Sequence, residues 1–273
     1  MCIRDRRNPD TGMIPASNTK IFTTAAAVGL LGETYQFRTR VYRSAGTTSG
    51  NVFTGTIYLL GEHDITWHED TFGTGNANRA LNTIATATVA ALSAQGITQI
   101  TGAVEGRGAM FHNLTPTETA HQSTSSSAVG EYNRQAAAAF RTSLINAGLT
   151  FTSVINSTGV SGFTPGASWT LLHTHLSGAN TNATTGRALN LVEAVRGLNK
   201  SSHNPMADLL LRHIGYQLSA SDSYSAGAAR VIPWLSGTAG VNTTGIVMND
   251  GSGLAASNRF TARQAVDTLR YTV

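Results

Sequence analysis

A helix that is small and apolar on every side has to be buried on every side, and residues 17–31, SNTKIFTTAAAVGLL, read as such a helix, closed by Gly32. The rest of the chain must be built around it. Its first turn nevertheless carries a polar pair, Ser17 and Lys20. Lysine is scarce here: two lysines stand against seventeen arginines, and the second, Lys200, lies in LNKSSHNPMADLLLRHIG. Arginine serves solubility equally well and keeps its proton near neutral pH, so two isolated lysines point to chemistry rather than to solvation.

The remaining sequence sets the surroundings. With 273 residues the chain is long enough for one large domain or two smaller ones. An apolar content of 41% with only 12% charged residues is a globular, loop-rich composition. The arginines are scattered and form no basic run, which excludes a nucleic-acid footprint. The longest apolar run, AAAVGLL, is far short of a membrane span. The opening MCIRDR back-translates to a stretch resembling a transposase end used in library preparation. Residues 1–7 are therefore read as an assembly artefact and set aside, and the one cysteine, Cys2, goes with them.

Local patterns predict a mixed α/β chain. QFRTRVYRS and NVFTGTIYLLG alternate like strands across the turn-rich AGTTSGN. Two helix–glycine–strand successions follow: NRALNTIATATVAALSAQ to Gly96 and ITQITGAVEG, then AVGEYNRQAAAAFRTSLINA to Gly148 and LTFTSVIN. Polar linkers occupy 121–127 and 177–186, and a helical section over 189–214 breaks near Ser201–Pro205. TTGIVMNDGSGLAASNRFT reads as a strand and a loop. ARQAVDTLRY then reads as a helix with Thr261 and Gln264 in a capping-box pattern.

Ser17 and Lys20 gain meaning from this setting. A helix N-terminus offers free N–H groups and a partial positive charge, which favour an oxyanion. A lysine three residues on shares the serine's helix face. Desolvated, such an amine loses its proton more readily and can take the serine's. The plainer alternative makes Ser17 an N-cap and Lys20 an exposed first-turn residue. Ser202 and Asn204 in NKSSHN supply a hydroxyl and an amide, with a polar helix start capped by Ser202 as the alternative. Both elements, in order, hold both lysines, which favours catalysis.

Four stretches together resemble the D-alanyl-D-alanine carboxypeptidase/endopeptidases, the class C low-molecular-mass penicillin-binding proteins. They are PASNTKIFTTAAAVGLLG, GTIYLLGEHD, LNKSSHNPMADLLLRHIG and MNDGSGLAASNRFTARQAVDTLR. The resemblance implies an α/β (α+β) fold: a transpeptidase-like core of antiparallel sheet covered by helices, with a large α/β insert between the first two motifs. On this reading residues 8–33 and 169–273 form the catalytic domain and 34–168 the insert. Ser17 would be the acylated nucleophile, Lys20 its base, and Ser202 and Asn204 the second motif. Lys200, before that motif, and Asp64, closing GEHD, would bind substrate; a turn aspartate accepting backbone hydrogen bonds is the alternative for Asp64. The implied activity is a serine-type D-Ala-D-Ala carboxypeptidase or endopeptidase acting on peptidoglycan peptide stems. It would need no cofactor or metal, would be trapped by β-lactams, and would work outside the cytoplasmic membrane after export by a signal peptide that this chain has lost. A β-lactamase or esterase on the same core, or a non-catalytic cell-wall-binding protein, stay as alternatives.

The sequence also departs from the family pattern. A Lys/His-Thr/Ser-Gly strand, expected after the last helix, is absent, which implies truncation and severe impairment, since one oxyanion donor alone is worth about 10²–10³ in rate. Ala255 and Ala256 stand where the family has Ser-Arg, and His203 and Pro205 flank Asn204 in place of the commoner Asp and Leu. GEHDITWHED gathers Glu62, His63, Asp64, His68, Glu69 and Asp70, but its spacing matches no metal pattern. His173 and His175 alternate as strand residues sharing one face and read as polar residues rather than ligands.

Overall fold

The computed structural model describes residues 8–67, 76–109, 126–152, 157–160 and 165–272. Residues 1–7, His68, Glu69 and Asp70, and most of the 121–127 linker lie outside them. The chain divides into two compact units, one taking the sequence up to Tyr35 and from Val195 onward, the other Gln36–Ala194.

Both sheets of the described residues belong to Gln36–Ala194. Its elements are β1 (Arg38–Arg43), β2 (Thr47–Ser49), β3 (Val52–Thr54), β4 (Ile57–Glu62), β5 (Gln99–Thr101), β6 (Val104–Ala109), β7 (Thr150–Phe151), β8 (Thr158–Val160) and β9 (Thr170–Leu176). One sheet has the order β8-β6-β4-β1-β9, the other β2-β3-β5-β7. Pairing is antiparallel for β1 with β4 and β9, and for β2 with β3; β4–β6, β6–β8, β3–β5 and β5–β7 are parallel. The mixed α/β class is as the sequence predicts. Its return to the first unit at residue 169 differs from the structure, where the pairing of β9 with β1 keeps 170–176 in the second unit.

Two stretches predicted as single strands are each cut in two. NVFTGTIYLLG becomes β3 and β4, and ITQITGAVEG becomes β5 and β6, each pair split between the two sheets. The cuts fall on glycines that touch. A Cβ on Gly102, whose φ is +158°, would lie 1.8 Å from the carbonyl oxygen of Gly55. Gly55 N–H donates to Thr101 O (3.1 Å) and Ile57 N–H to Ala103 O (3.0 Å), so the two chains change sheet side by side. The AGTTSGN turn also contains β2, which closes a hairpin with β3. Helices α1 (Thr19–Leu31, in the first unit), α2 (Asn76–Ser93) and α3 (Ser126–Asn146) end near where their glycines predict. Phe53, Leu59, Leu81, Ile100 and Phe140 are fully buried in one cluster under the sheets of the second unit. Burial of each stabilises by about 1.5–3 kcal/mol.

The first unit is helical among its described residues. Strand-like pairing there is limited to the bridges Met13–Phe260 and Val247–Arg259. α1 is buried on most of its surface, from Thr19 and Lys20 through Phe22 to Ala27. Phe22 stacks on Phe260 with ring centroids 4.0 Å apart. α4 (Leu191–Ser201) and α5 (Asn204–Ser219) are separated by Ser202 in the left-handed region at φ 54°, the break the sequence places there. His203, not Ser202, caps α5: its Nδ1 accepts from Met206 N–H at 3.4 Å. α6 (Tyr224–Gly237) lies in a stretch for which the sequence patterns named no element; Pro233 sits inside it. α7 (Ala262–Tyr271) has both halves of the predicted capping box. No described helix is long and apolar enough to cross a membrane.

Candidate active site

Ser17 lies in a 3₁₀ turn, Ala16–Asn18, that leads into α1. Asn18 N–H bonds Pro15 O at 3.1 Å, and the residue before the serine, Ala16, is held at φ 47°. A non-glycine residue in that region costs about 1–3 kcal/mol and persists only where its surroundings impose it. Ser17 is exposed while Lys20, one turn on, is only 3% exposed. Geometry thus presents a hydroxyl to solvent with an amine buried behind it.

Oxygens of Ser17, Asn204 and Ser252 lie within hydrogen-bonding distance of that amine. Lys20 Nζ is 3.2 Å from Ser17 Oγ, 2.5 Å from Asn204 Oδ1 and 2.9 Å from the carbonyl oxygen of Ser252. Asn204 Oδ1 and the carbonyl only accept, so each fixes one N–H of the amine. The remaining tetrahedral position points at Ser17. In the ammonium it is an N–H; in the neutral amine it is the lone pair, and the serine hydroxyl becomes the donor.

The carbonyl partner belongs to the turn Asp250-Gly251-Ser252-Gly253, and this turn is tied down on all sides. Asp250 accepts from Gly253 N–H (2.8 Å), Ala255 N–H (2.5 Å) and Asn258 Nδ2 (2.7 Å). Asp208 Oδ1, from α5, accepts from Gly251 N–H (3.0 Å) and Ser252 N–H (2.9 Å). Thr23, from α1, donates its hydroxyl to Gly251 O at 2.8 Å. Close approach demands both glycines. A Cβ on Gly251 would lie 2.2 Å from Ala207 O, and one on Gly253, at φ +93°, 1.7 Å from Ala16 O. Burial, then the neighbouring Asp250, push the Asp208 carboxyl up to about 7, against the lowering hydrogen bonds from Ser252 and Gly251.

Of the six residues singled out from sequence, Ser17, Lys20 and Asn204 come together. Ser202 does not join them: it is exposed, and its hydroxyl makes no hydrogen bond among the described residues. Lys200 is exposed in the last turn of α4. Asp64, in the other unit, is 2% exposed. It accepts from Thr66 N–H (2.9 Å), Thr66 Oγ1 (2.6 Å) and Trp67 Nε1 (3.1 Å), the pattern of a turn aspartate. Desolvation raises its carboxyl to about 6 despite those bonds. Beside it, buried Glu62 pairs with Arg38 and Arg40. His173 and His175 share a strand face as predicted; burial lowers both, His175 to about 4, and its Nε2 meets Asn180 Nδ2 at 2.9 Å.

Sequence reasoning missed Asp208 and Thr23. Asp208 had a signal, since it is the one charged residue in the run PMADLLL, four positions after Asn204 and therefore on the same face of α5. Thr23 had none, because threonine is ordinary within an apolar helix.

Solved structures with the same fold define the class. Penicillin binding protein 4 (dacB) from Haemophilus influenzae aligns with a TM-score of 0.66 at 19% identity, over 98% of this chain and 72% of that one. Bd3459, a predatory peptidoglycan endopeptidase from Bdellovibrio bacteriovorus, aligns at 0.53 and 18%, over 97% and 64%. The fold is that of the penicillin-binding proteins. A D-alanyl-D-alanine carboxypeptidase of Actinomadura sp. (strain R39) is 43% identical over 70 residues, 26% of this chain but 13% of that protein's length. The D-Ala-D-Ala carboxypeptidase 3 (S13) family matches residues 3–118 and 113–273, and the chain belongs to it.

Proposed function

We propose that the chain carries the acylation centre of a serine-type D-Ala-D-Ala carboxypeptidase or endopeptidase acting on peptidoglycan peptides, outside the cytoplasmic membrane. The supporting observation is the Lys20 amine held by two acceptor-only oxygens so that its third position faces Ser17. Neutral Lys20 takes the Ser17 hydroxyl proton as Oγ attacks the carbonyl carbon of the penultimate D-alanine. The C–N bond breaks, the proton passes from the lysine to the departing amine, and an ester on Ser17 is left. Water then attacks the ester, giving its proton through Lys20, and the serine leaves with its hydrogen restored. Ser17 N–H, which stands at the start of a helix, stabilises the oxyanion. The Nδ2 of Asn204, whose Oδ1 holds the lysine, is the donor for a substrate carbonyl. Ser202 is proposed to relay the proton once substrate fills the gap, since such bonds tighten only in the complex.

A β-lactam carries a strained version of the same amide and tests the proposal directly. Incubation with benzylpenicillin is expected to add the drug's whole mass to the chain, located by peptide mapping at Ser17 and absent in Ser17→Ala. An adduct on another residue, or none on folded chain, refutes the assignment.

A further inference from the structure

The mechanism just proposed uses Asn204 from α5, and the same helix contributes a second polar group to the centre from the same face, one turn further on. Asp208 is buried and sits under the Asp250–Gly253 turn. Its Oδ1 accepts both N–H groups that precede the Ser252 carbonyl, those of Gly251 and Ser252. That carbonyl, Ser252 C=O, is the one that fixes an N–H of Lys20. The peptide bearing it is also held at its other end, since Gly253 N–H donates to Asp250. Neither anion touches the amine. Their charge reaches it through oriented peptide dipoles, which aim the carbonyl oxygen and make it a better acceptor.

We infer that Asp208 is a positioning residue for the Lys20 base: through the Gly251–Ser252 backbone it aims the Ser252 carbonyl, and by its charge it sets the pH at which the amine loses its proton. The inference rests on Lys20 serving as the base. Asn204 and Asp208, four residues apart on one helix, then make the two fixed acceptors of the amine a single rigid unit, so that one helical face sets both the direction of the lone pair and its availability.

Among the described residues, Asp250, Tyr224 and Arg212 bear on Asp208. Asp250 adds a second negative charge from the turn. Tyr224, from α6, feels Asp208 and Asp250 as charges that raise its phenol, after the larger effect of burial. Arg212, one turn along α5, is engaged elsewhere: its Nε donates to Asp222 O (2.6 Å) and an Nη to Asp222 Oδ2 (2.9 Å). The carboxyl of Asp208, raised to about 7, changes charge within the working range, so the lysine is expected to sense it.

Having only two lysines makes the test clean. The chain labelled with ¹⁵N or ¹³C at lysine side chains gives two signals, with exposed Lys200 as the internal control. In the unmodified chain the Lys20 signal is expected to show an extra inflection near pH 7, absent from Lys200. In Asp208→Asn, with folding checked by its melting transition, that inflection vanishes. The Lys20 midpoint there falls by about half a unit to one unit, because an anion that favoured the ammonium is gone. Lys200 does not move. A loop that merely loosened would slow penicillin acylation without shifting any midpoint. A Lys20 signal titrating identically in both chains, without the inflection, overturns the inference; should Asp208→Asn fail to fold, Asp208→Glu is compared instead, and an inflection that stays unmoved there overturns it. A failure to acylate with benzylpenicillin while Lys20 titrates as expected would instead sink the proposed reaction, and leave only the electrostatic link between Asp208 and the amine.

Discussion

Replacing Gly253 with alanine tests the tightest contact in the centre. The added Cβ would stand 1.7 Å from Ala16 O, and real Cβ contacts essentially never fall below 3.0 Å. Backbone lies on both sides, so no side-chain rotation relieves the clash; the 250–253 turn and the 15–17 turn must part by more than about 1 Å. Gly253 also stands at φ +93°, which disfavours any residue with a Cβ. Left-handed strain of about 1–2 kcal/mol and overpacking of about 1–3 kcal/mol together give a loss of about 2–5 kcal/mol. In a domain of this size that lowers the melting temperature by about 4–20 °C. The movement separates Ser17, next to Ala16, from the Ser252 carbonyl that holds Lys20. A misplacement of about 1 Å costs about 10²-fold in rate. Acylation by a fluorescent penicillin, followed alongside a thermal melt, reads both effects. Acylation within twofold of the unmodified chain, with a melt unchanged within a degree, would refute the claim that this contact sets the site.

Two further outcomes follow from the same geometry. Asn204→Ala removes an acceptor from the buried Lys20 amine, so acylation is expected to fall at least tenfold, with a stability loss of about 1–3 kcal/mol, or about 2–12 °C in the melt; an unchanged rate would remove Asn204 from the centre. Asp64 is expected to make stability depend on pH. Its folded carboxyl, at about 6 against an ordinary 3.8, favours the protonated form, so its contribution is full below about pH 4 and is lost as pH rises through 6. The stability of the unmodified chain relative to Asp64→Asn should therefore fall by about 2 kcal/mol between pH 4 and 7; a constant difference in paired denaturant titrations would show that Asp64 is not buried as described.

The helices and the motifs were largely legible in the sequence, for physical reasons that differ. α1 announces itself by an apolar surface on every side and α7 by Thr261 and Gln264, both local signals. Strand partners are not local. Nothing within NVFTGTIYLLG says that Gly55 abuts Gly102 and sends the two halves to different sheets. α6 lies where the sequence patterns named no element, yet Ser223 caps it and burial of Val231, Trp234 and Leu235 outweighs Pro233 inside it. In the candidate site, the grouping of Ser17, Lys20 and Asn204 was readable because the proposed chemistry restricts their residue types. Ser252 was not, since it acts through its backbone carbonyl, which any residue could supply. Ser202 has the expected residue type and a left-handed backbone, but no bond to the amine.

The distances along the chain between Lys20 and its two acceptors bear on how such a centre comes into being. Asn204 is 184 residues away and Ser252 is 232. At synthesis rates of about 5–20 residues per second, the amine leaves the ribosome roughly ten to fifty seconds before the carbonyl that fixes it. Gln36–Ala194 is made in between, with its own core of local and sheet contacts to fold around. Through that interval Ser17 and Lys20 are an ordinary serine and an ordinary lysine on a nascent helix. On the proposed mechanism, reactivity waits for the Asp250–Gly253 turn, so the order of synthesis itself would keep Ser17 silent until that turn is in place.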